Sequence, residues 1–343
     1  MKDLLLYAFR SVGGFALARR LTRKRLRILC YHGFSIGDEY QIAPLMFMRA
    51  ETFERRMQIL KRRRIPVVPL EAAVRLFQSG QIARCETVIT LDDGWSSSLS
   101  IALPILQKYD FPASLYLSTE HFSDRAEVFN VILSYVIHRS KSTVLRLDDV
   151  HPSINGSYEL GPHRQQTISA LIAAAERGVS FSERFSLLAP IADALGIDLA
   201  DVLKDKRFRL LDRSELQEAF RRGLDVQLHT HRHKLPDASF DSMAEAIEQN
   251  RATIRSIIGT EPRHFCYPSG KYSGDQPQWL TRLGIASATT CDPGLNGPND
   301  SVMLLKRYLD GENSSDIAFD AEICGVRDLA RSFRARFGRQ RQH

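Results

Sequence analysis

The stretch Thr87-Val88-Ile89-Thr90-Leu91-Asp92-Asp93-Gly94-Trp95 decides how this chain is read. Its first five residues are a short continuous run rich in β-branched and apolar side chains, the composition of a buried strand. Two adjacent carboxylates then stand at the strand's end. Side by side they repel each other and lose hydration unless a cation or a proton is shared between them, and a metal ion removes that conflict. The plainer alternative is that Asp92 and Asp93 cap a helix beginning near Ser96.

Outward from this stretch, similar apolar runs occur at 27–31, 66–70, 113–117, 226–228, 264–267, 286–290 and 303–308. Helical patterns lie between them at 50–63, 70–79, 96–109, 214–222, 242–258 and 276–283. Alternating strand and helix predicts a parallel α/β sheet or barrel. Asp212 and Glu215 have the spacing of a capping box, and Gly223 stands where that helix should stop. Between Thr119 and Phe208 the alternation lapses into helical pattern with one hairpin expected around Asn155 and Gly156, which reads as an insertion over the barrel mouth.

The 343 residues, 43% of them hydrophobic, suffice for one large core carrying an insertion and exclude global disorder. Five scattered cysteines without a CxxC pair suggest neither a disulfide framework nor a zinc knuckle, and fit a reducing compartment. The expected location is therefore cytoplasmic, with the inner face of the membrane as the surface the N-terminus would touch. The net charge of +7 gathers at 19–27, 55–64 and 331–341, either as solvated helix faces or as patches for polyanions or anionic headgroups. Leu4, Leu5, Leu6, Phe9, Phe15 and Leu17 are interrupted by Arg10, Gly13 and Gly14. That run is too short for a membrane span and too broken for a signal peptide, but an amphipathic helix touching a membrane surface fits it, as does a helix packed on the barrel. Positive charge without a recognition motif gives no case for nucleic-acid binding.

Four polar clusters follow expected strands: Tyr31 with His32, Asp92 with Asp93, His229 to His233, and Pro268 to Gly270. In a parallel barrel the loops after the strands open on one face, so these clusters converge. In His229-Thr230-His231-Arg232-His233, the imidazoles four positions apart face the same way if the turn is helical, and neutral imidazole is a preferred ligand of zinc and its neighbours. His231 then points elsewhere. Trp95 and Tyr267 are candidates for stacking on sugar rings, with helix-start packing the alternative for Trp95.

These residues resemble the polysaccharide deacetylases, carbohydrate esterase family four, which include the nodulation-type chitooligosaccharide deacetylases. The family's Thr-Phe-Asp-Asp-Gly run is matched by Thr90 to Gly94, with Leu91 in place of Phe, and its His-Ser/Thr-x-x-His motif by His229, Thr230 and His233. The resemblance implies an α/β fold, a TIM-like distorted (β/α) barrel with a mainly helical insertion. It implies that Asp92 is the general base, that Asp93, His229 and His233 hold a divalent metal, zinc first with cobalt or nickel as alternatives, and that the substrate is an N-acetylated glycan. The expected organisation is an N-terminal amphipathic region over 1–26, a barrel over 27–120 and 208–312, the insertion over 121–207, and a basic helix or tail over 313–343.

The third family motif, Arg-x-Pro-Tyr-Gly, has a partial counterpart in Cys266-Tyr267-Pro268-Ser269-Gly270, where Cys266 replaces the Arg that tunes the base. A branch acting on exported or cell-surface glucosamine polymers has Phe-Ala-Tyr-Pro-Tyr-Gly here, closer to this chain, and also opens with a Tyr-His pair. The late Leu-x-His motif that supplies a general acid is missing, since only His343 follows Gly270. His32 or His264 could substitute, His32 the better placed because it follows its strand. Arg307 is the candidate for the missing Arg's role towards Asp92, and Tyr267, Pro268, Ser269 and Gly270 join Trp95 and Arg307 as the expected substrate contacts. The competing readings are a catalytically impaired glycan-binding barrel and a metal-dependent hydrolase of another bond; the oligomeric state is open.

Overall fold

In the computed structural model, which describes residues 2–123, 126–236 and 239–339, seven strands run parallel in one curled sheet. In chain order they are β1 (Arg27–Tyr31), β2 (Thr87–Asp93), β3 (Ser114–Leu117), β4 (Asp225–Leu228), β5 (His264–Cys266), β6 (Ser287–Thr289) and β7 (Tyr308–Leu309). The spatial order β6-β5-β4-β3-β2-β1-β7 brings the last strand beside the first. Leu29 pairs with Tyr308 on one side of the 302–309 segment, while Thr289 pairs with Leu305 on the other. This segment therefore closes the sheet into a distorted (β/α) barrel by serving β6 with its first half and β1 with its second. It forms a regular strand only at Tyr308–Leu309, because neither neighbour accompanies it throughout.

Two other expected elements differ for a clear reason. The 66–70 run makes only a bridge, Val67 to Thr87, since Pro66 and Pro69 have no N–H to give a ladder. The helix after β2 opens as a π-helical turn, Ser98–Ala102, and becomes α-helical only over Leu103–Lys108, where Pro104 sits in the first turn and its missing N–H costs nothing. By contrast, Arg213–Arg221 begins at the expected capping box, with Glu215 N–H donating to Asp212 and Asp212 N–H to Glu215.

The segment between β3 and β4 carries helices Phe129–Arg139, Arg164–Gly178 and Leu188–Ala194 and an antiparallel pair, Val144–Leu147 with Gly156–Glu159. Asn155 and Gly156 open the second strand of that pair rather than forming a tight turn. The segment has its own apolar core, around Ile132, Leu133, Leu145, Leu171 and Leu188, and this core reaches Phe47 and Trp95 of the barrel. Its two ends are stitched together beside the loop after β2: Val128 N–H donates to Phe208 O, Leu211 N–H to Gly94 O, and Ser96 N–H to Arg209 O. Packing of the insertion is thereby tied to the position of Asp93.

Candidate active site

β2 delivers both carboxylates, and what separates them is the backbone. Asp92 still follows the pleat and turns inward, whereas Asp93 (φ 73°) and Gly94 (φ 99°) take left-handed conformations that swing the chain out of the sheet. Gly94 is required there: a Cβ would come within 2.4 Å of Leu117 Cδ1. The neighbours thus acquire different surroundings.

Asp93 Oδ1 lies 3.4 Å from His229 Nε2 and 3.2 Å from His233 Nε2, and Asp93 Oδ2 accepts a hydrogen bond from Trp95 Nε1 at 3.1 Å. Ligand atoms of Asp93, His229 and His233 all lie within 4.8 Å of one another. The two imidazoles do not meet through a helical turn. Thr230 (φ 65°) and His233 (φ 51°) bend the loop through left-handed conformations instead, and the rings sit nearly edge to face at 4.9 Å. His229 Nδ1 donates to Cys266 O at 2.8 Å, so Nε2 faces Asp93 and, once it gives up its proton, presents its lone pair where a metal ligand needs it. The loop is held from behind by Asn250, whose Oδ1 accepts from His229 N–H while its Nδ2 donates to Leu117 O and Thr119 Oγ1. His231 turns away, onto Thr119 Oγ1 at 3.0 Å.

Burial pushes the Asp93 carboxyl up, but its hydrogen bonds to His229 and His233 prevail and hold it well below the ordinary carboxylate range. Burial pushes His229 down, and the Asp93 and Asp92 carboxylates more than reverse this. One carboxylate oxygen and two imidazole nitrogens, closely convergent, form a donor set that fits a divalent cation.

Asp92 is 2% exposed and faces Arg307, itself 1% exposed, in a two-pronged pair: Nη1 to Oδ1 at 2.7 Å and Nη2 to Oδ2 at 2.8 Å. Burial would raise the Asp92 carboxyl, yet the charge and hydrogen bonds of Arg307, with His32 and His229 nearby, hold it below the usual range. Arg307 also donates to Thr290 O and to Cys266 Sγ, so the thiol that occupies the expected Arg position accepts from the guanidinium that arrives from the barrel-closing segment. Cys30 Sγ stands 3.5 Å from Asp92 Oδ2. His32 Nε2 lies 4.0 Å from the same oxygen, and its buried Nδ1 has no partner among the described residues. His264, the other candidate acid, is held at the opposite end of β5 by Ser287 and Glu71; His343 lies outside the described residues.

Most of the expected substrate contacts are buried. Trp95 (2% exposed) packs edge to face against Phe47 and donates to Asp93, while lining the cleft beside Asp93. Tyr267 (0% exposed) is covered by Phe265 and Tyr272. Arg307 is committed to Asp92 and is out of a substrate's reach. Pro268 is buried, Ser269 (φ 55°) is exposed, and Gly270 is close-packed, since a Cβ there would come 2.5 Å from Cys291 N. In this turn Gly270 N–H donates to Tyr267 O and Lys271 N–H to Pro268 O.

Asp93 and His233 form part of the wall of a cleft of about 600 Å³. Its other wall comes from the insertion, with Phe129, Val131, Glu176, Phe181 and Phe185 facing His231 and Lys234 across it. These insertion residues, and Asn250 behind the His loop, were not singled out from the sequence. Asn250 looks like any polar residue on a helix, and the insertion wall carries no motif; Phe181, 40% exposed in a cleft, becomes visible only in three dimensions.

Residues 195–288 match the polysaccharide deacetylase family model, a span that holds the His229 to His233 loop and the Phe265 to Gly270 turn but not the Asp92 and Asp93 pair. Among solved structures, the Streptococcus pyogenes deacetylase PplD in complex with acetate is similar with a TM-score of 0.58 at 16% identity, covering 87% of this chain and 98% of that one. IcaB from Ammonifex degensii follows at 0.56 and 16%, covering 88% and 97%, and a de-N-acetylase from Aggregatibacter actinomycetemcomitans at 0.52 and 12%, covering 87% and 99%. No curated protein sequence matches. At such identities the solved structures speak for a shared fold, and the stretch 195–288 is similar to the polysaccharide deacetylase family.

Proposed function

We propose that the protein is a metal-dependent hydrolase that removes N-acetyl groups from an amino-sugar-containing polysaccharide, oligosaccharide or lipid-linked glycan. The observation that carries this reading is the division of labour between adjacent carboxylates: Asp93 meets two imidazole Nε2 atoms, while Asp92 is ionised, buried and gripped by Arg307. A structural role for the pair as helix caps would not require a guanidinium on one and two imidazoles on the other.

Asp93, His229 and His233 would hold the cation, zinc being favoured by the mixed oxygen and nitrogen donors. Bound there, it supplies Lewis acidity towards the acetamide carbonyl and the attacking water. Asp92, ionised at neutral pH, takes a proton from that water as the new C–O bond forms. Arg307 keeps the carboxylate oriented and charged. As the C–N bond breaks, the leaving amine takes a proton from His32, the imidazole beside Asp92 that has no competing partner on Nδ1. Acetate and a free amine result; Asp92 then releases its proton to solvent and His32 takes one up, which returns both to their starting states. The cleft wall contributed by the insertion would receive the sugar units flanking the scissile acetamide.

The test is acetate release from a panel of N-acetylated oligosaccharides by protein loaded with zinc, cobalt or nickel, with metal content measured in parallel. Asp93→Ala, His229→Ala and His233→Ala should lose metal and activity together. Asp92→Asn should keep its metal and lose about 10²- to 10⁴-fold in turnover, the range for a positioned general base. Full activity in Asp92→Asn would overturn the assignment.

A further inference from the structure

We infer that the N-terminal helical hairpin is a docking surface for an anionic lipid bilayer. Helices Lys2–Ser11 and Gly14–Leu21 pack on each other, the first against helix Asp316–Ile323 and the second against Val326–Arg339. One side of the hairpin is anchored: Phe15 and Ala18 are buried, and Gly14 lies so close to the Phe9 ring that a Cβ would come within 2.4 Å of it. This anchorage turns the remaining apolar side chains outward. Leu4 is 73% exposed, Leu5 68%, Val12 79%, Leu17 58% and Leu21 62%. Among the described residues, thirteen large hydrophobic side chains are exposed, and seven belong to this hairpin: these five with Tyr7 and Phe9. A cluster this dense is not the scatter of single apolar residues ordinary on soluble surfaces.

Charge identifies the occupant. The first 27 residues carry eight basic side chains and one acidic one. Arg10, Arg19 and Arg25 are used internally, on Asp320, on the Arg63 and Arg64 carbonyls and on Asp328. Arg20, Arg23 and Lys24 are exposed and have no acidic partner among the described residues. Aliphatic side chains with free cations at their border match the layering of acyl chains beneath anionic headgroups. No helix among the described residues is long and apolar enough to cross a membrane, so the contact is peripheral. The inference is independent of the deacetylase reading, because it concerns neither the metal site nor the cleft.

The experiment is co-sedimentation of the full chain with vesicles of phosphatidylcholine, with and without one-third phosphatidylglycerol, at roughly 0.15 M salt. Binding should be at least about tenfold tighter to the anionic vesicles and should weaken with added salt. Arg20→Gln with Arg23→Gln and Lys24→Gln should lower it by on the order of a hundredfold, from about fivefold per cation. Leu4→Ser with Leu5→Ser and Leu17→Ser should lower it about tenfold or more at unchanged metal content and unchanged acetate release from a soluble oligosaccharide. Equal binding to neutral vesicles, no binding to either, or undiminished binding by the leucine variant would overturn the proposal. So would a concentration-dependent dimer of the wild-type chain that the leucine variant abolishes while vesicle binding is absent, which would assign the surface to self-association.

Discussion

Replacing Arg307 by Met removes the group that does most to make a buried Asp92 tolerable. Both side chains are almost wholly withdrawn from solvent, and the guanidinium donates to each carboxylate oxygen. Breaking such a pair from one side leaves a buried charge without a counter-charge and costs about 3–5 kcal/mol. Removing both partners, in Asp92→Asn with Arg307→Met, should recover most of that loss, since neither charge then remains. The pH dependence follows by sign. In the wild type the folded-state carboxyl is depressed below its unfolded value, so the pair contributes stability above about pH 4 that is lost as pH falls through the folded value. In Arg307→Met burial is no longer opposed by the guanidinium, so the carboxyl rises and the stability deficit is largest at neutral pH and shrinks on acidification. Urea unfolding of the metal-free proteins at pH 7 and pH 5 measures both effects, and the pH profile of acetate release should show its acidic limb displaced upward in Arg307→Met. The reasoning is refuted if the single variant is as stable as the wild type at pH 7, or if its deficit grows on acidification.

Trp95→Phe keeps the ring packed against Phe47 but deletes the hydrogen bond to Asp93 Oδ2, and should weaken metal affinity by about 10- to 100-fold with little change in fold, read by competition with a chromogenic chelator. Asn250→Leu strips the His229 N–H and the Leu117 carbonyl of their partner, and should cost about 1–3 kcal/mol of stability in urea unfolding along with metal affinity. His32→Gln should lower kcat about 10²-fold or more while leaving metal content intact, and the loss should be smaller for acetate esters or anilides whose leaving groups need less protonation; an equal loss on all substrates would remove His32 from that role. Metal affinity itself should fall as pH drops through the imidazole range, because His229 and His233 must be unprotonated to bind; equilibrium dialysis at several pH values would show it.

Much of this was legible in the sequence because it rests on local signals. The apolar run ending in Asp92 and Asp93 marks a buried strand, and the His229 to His233 spacing marks a ligand loop whatever its backbone does. The helical turn expected there was the wrong route to the right encounter: two left-handed residues, Thr230 and His233, bring the rings together, and left-handed conformation at such residues leaves no trace in composition. Arg307 could be nominated only by its place on the last strand, because the contact with Asp92 spans most of the chain. The burial of Trp95 and Tyr267 was hidden for a different reason. An aromatic beside a motif looks the same whether its face is bare or covered, and the packing of Trp95 on Phe47, distant in sequence, and of Tyr267 on its near neighbours Phe265 and Tyr272 emerges only in the fold.

The double duty of the 302–309 segment has a consequence for how activity arises during synthesis. Every ligand for the cation has left the ribosome once His233 has emerged, so an unfinished chain can already possess a complete set of metal donors. It cannot yet possess a properly ionised base, because Arg307 arrives only with the stave that joins the two free rims of the sheet. The guanidinium is thus withheld until the circle is complete, and a chain cut short near residue 300 would have the three donors without the group that keeps Asp92 charged.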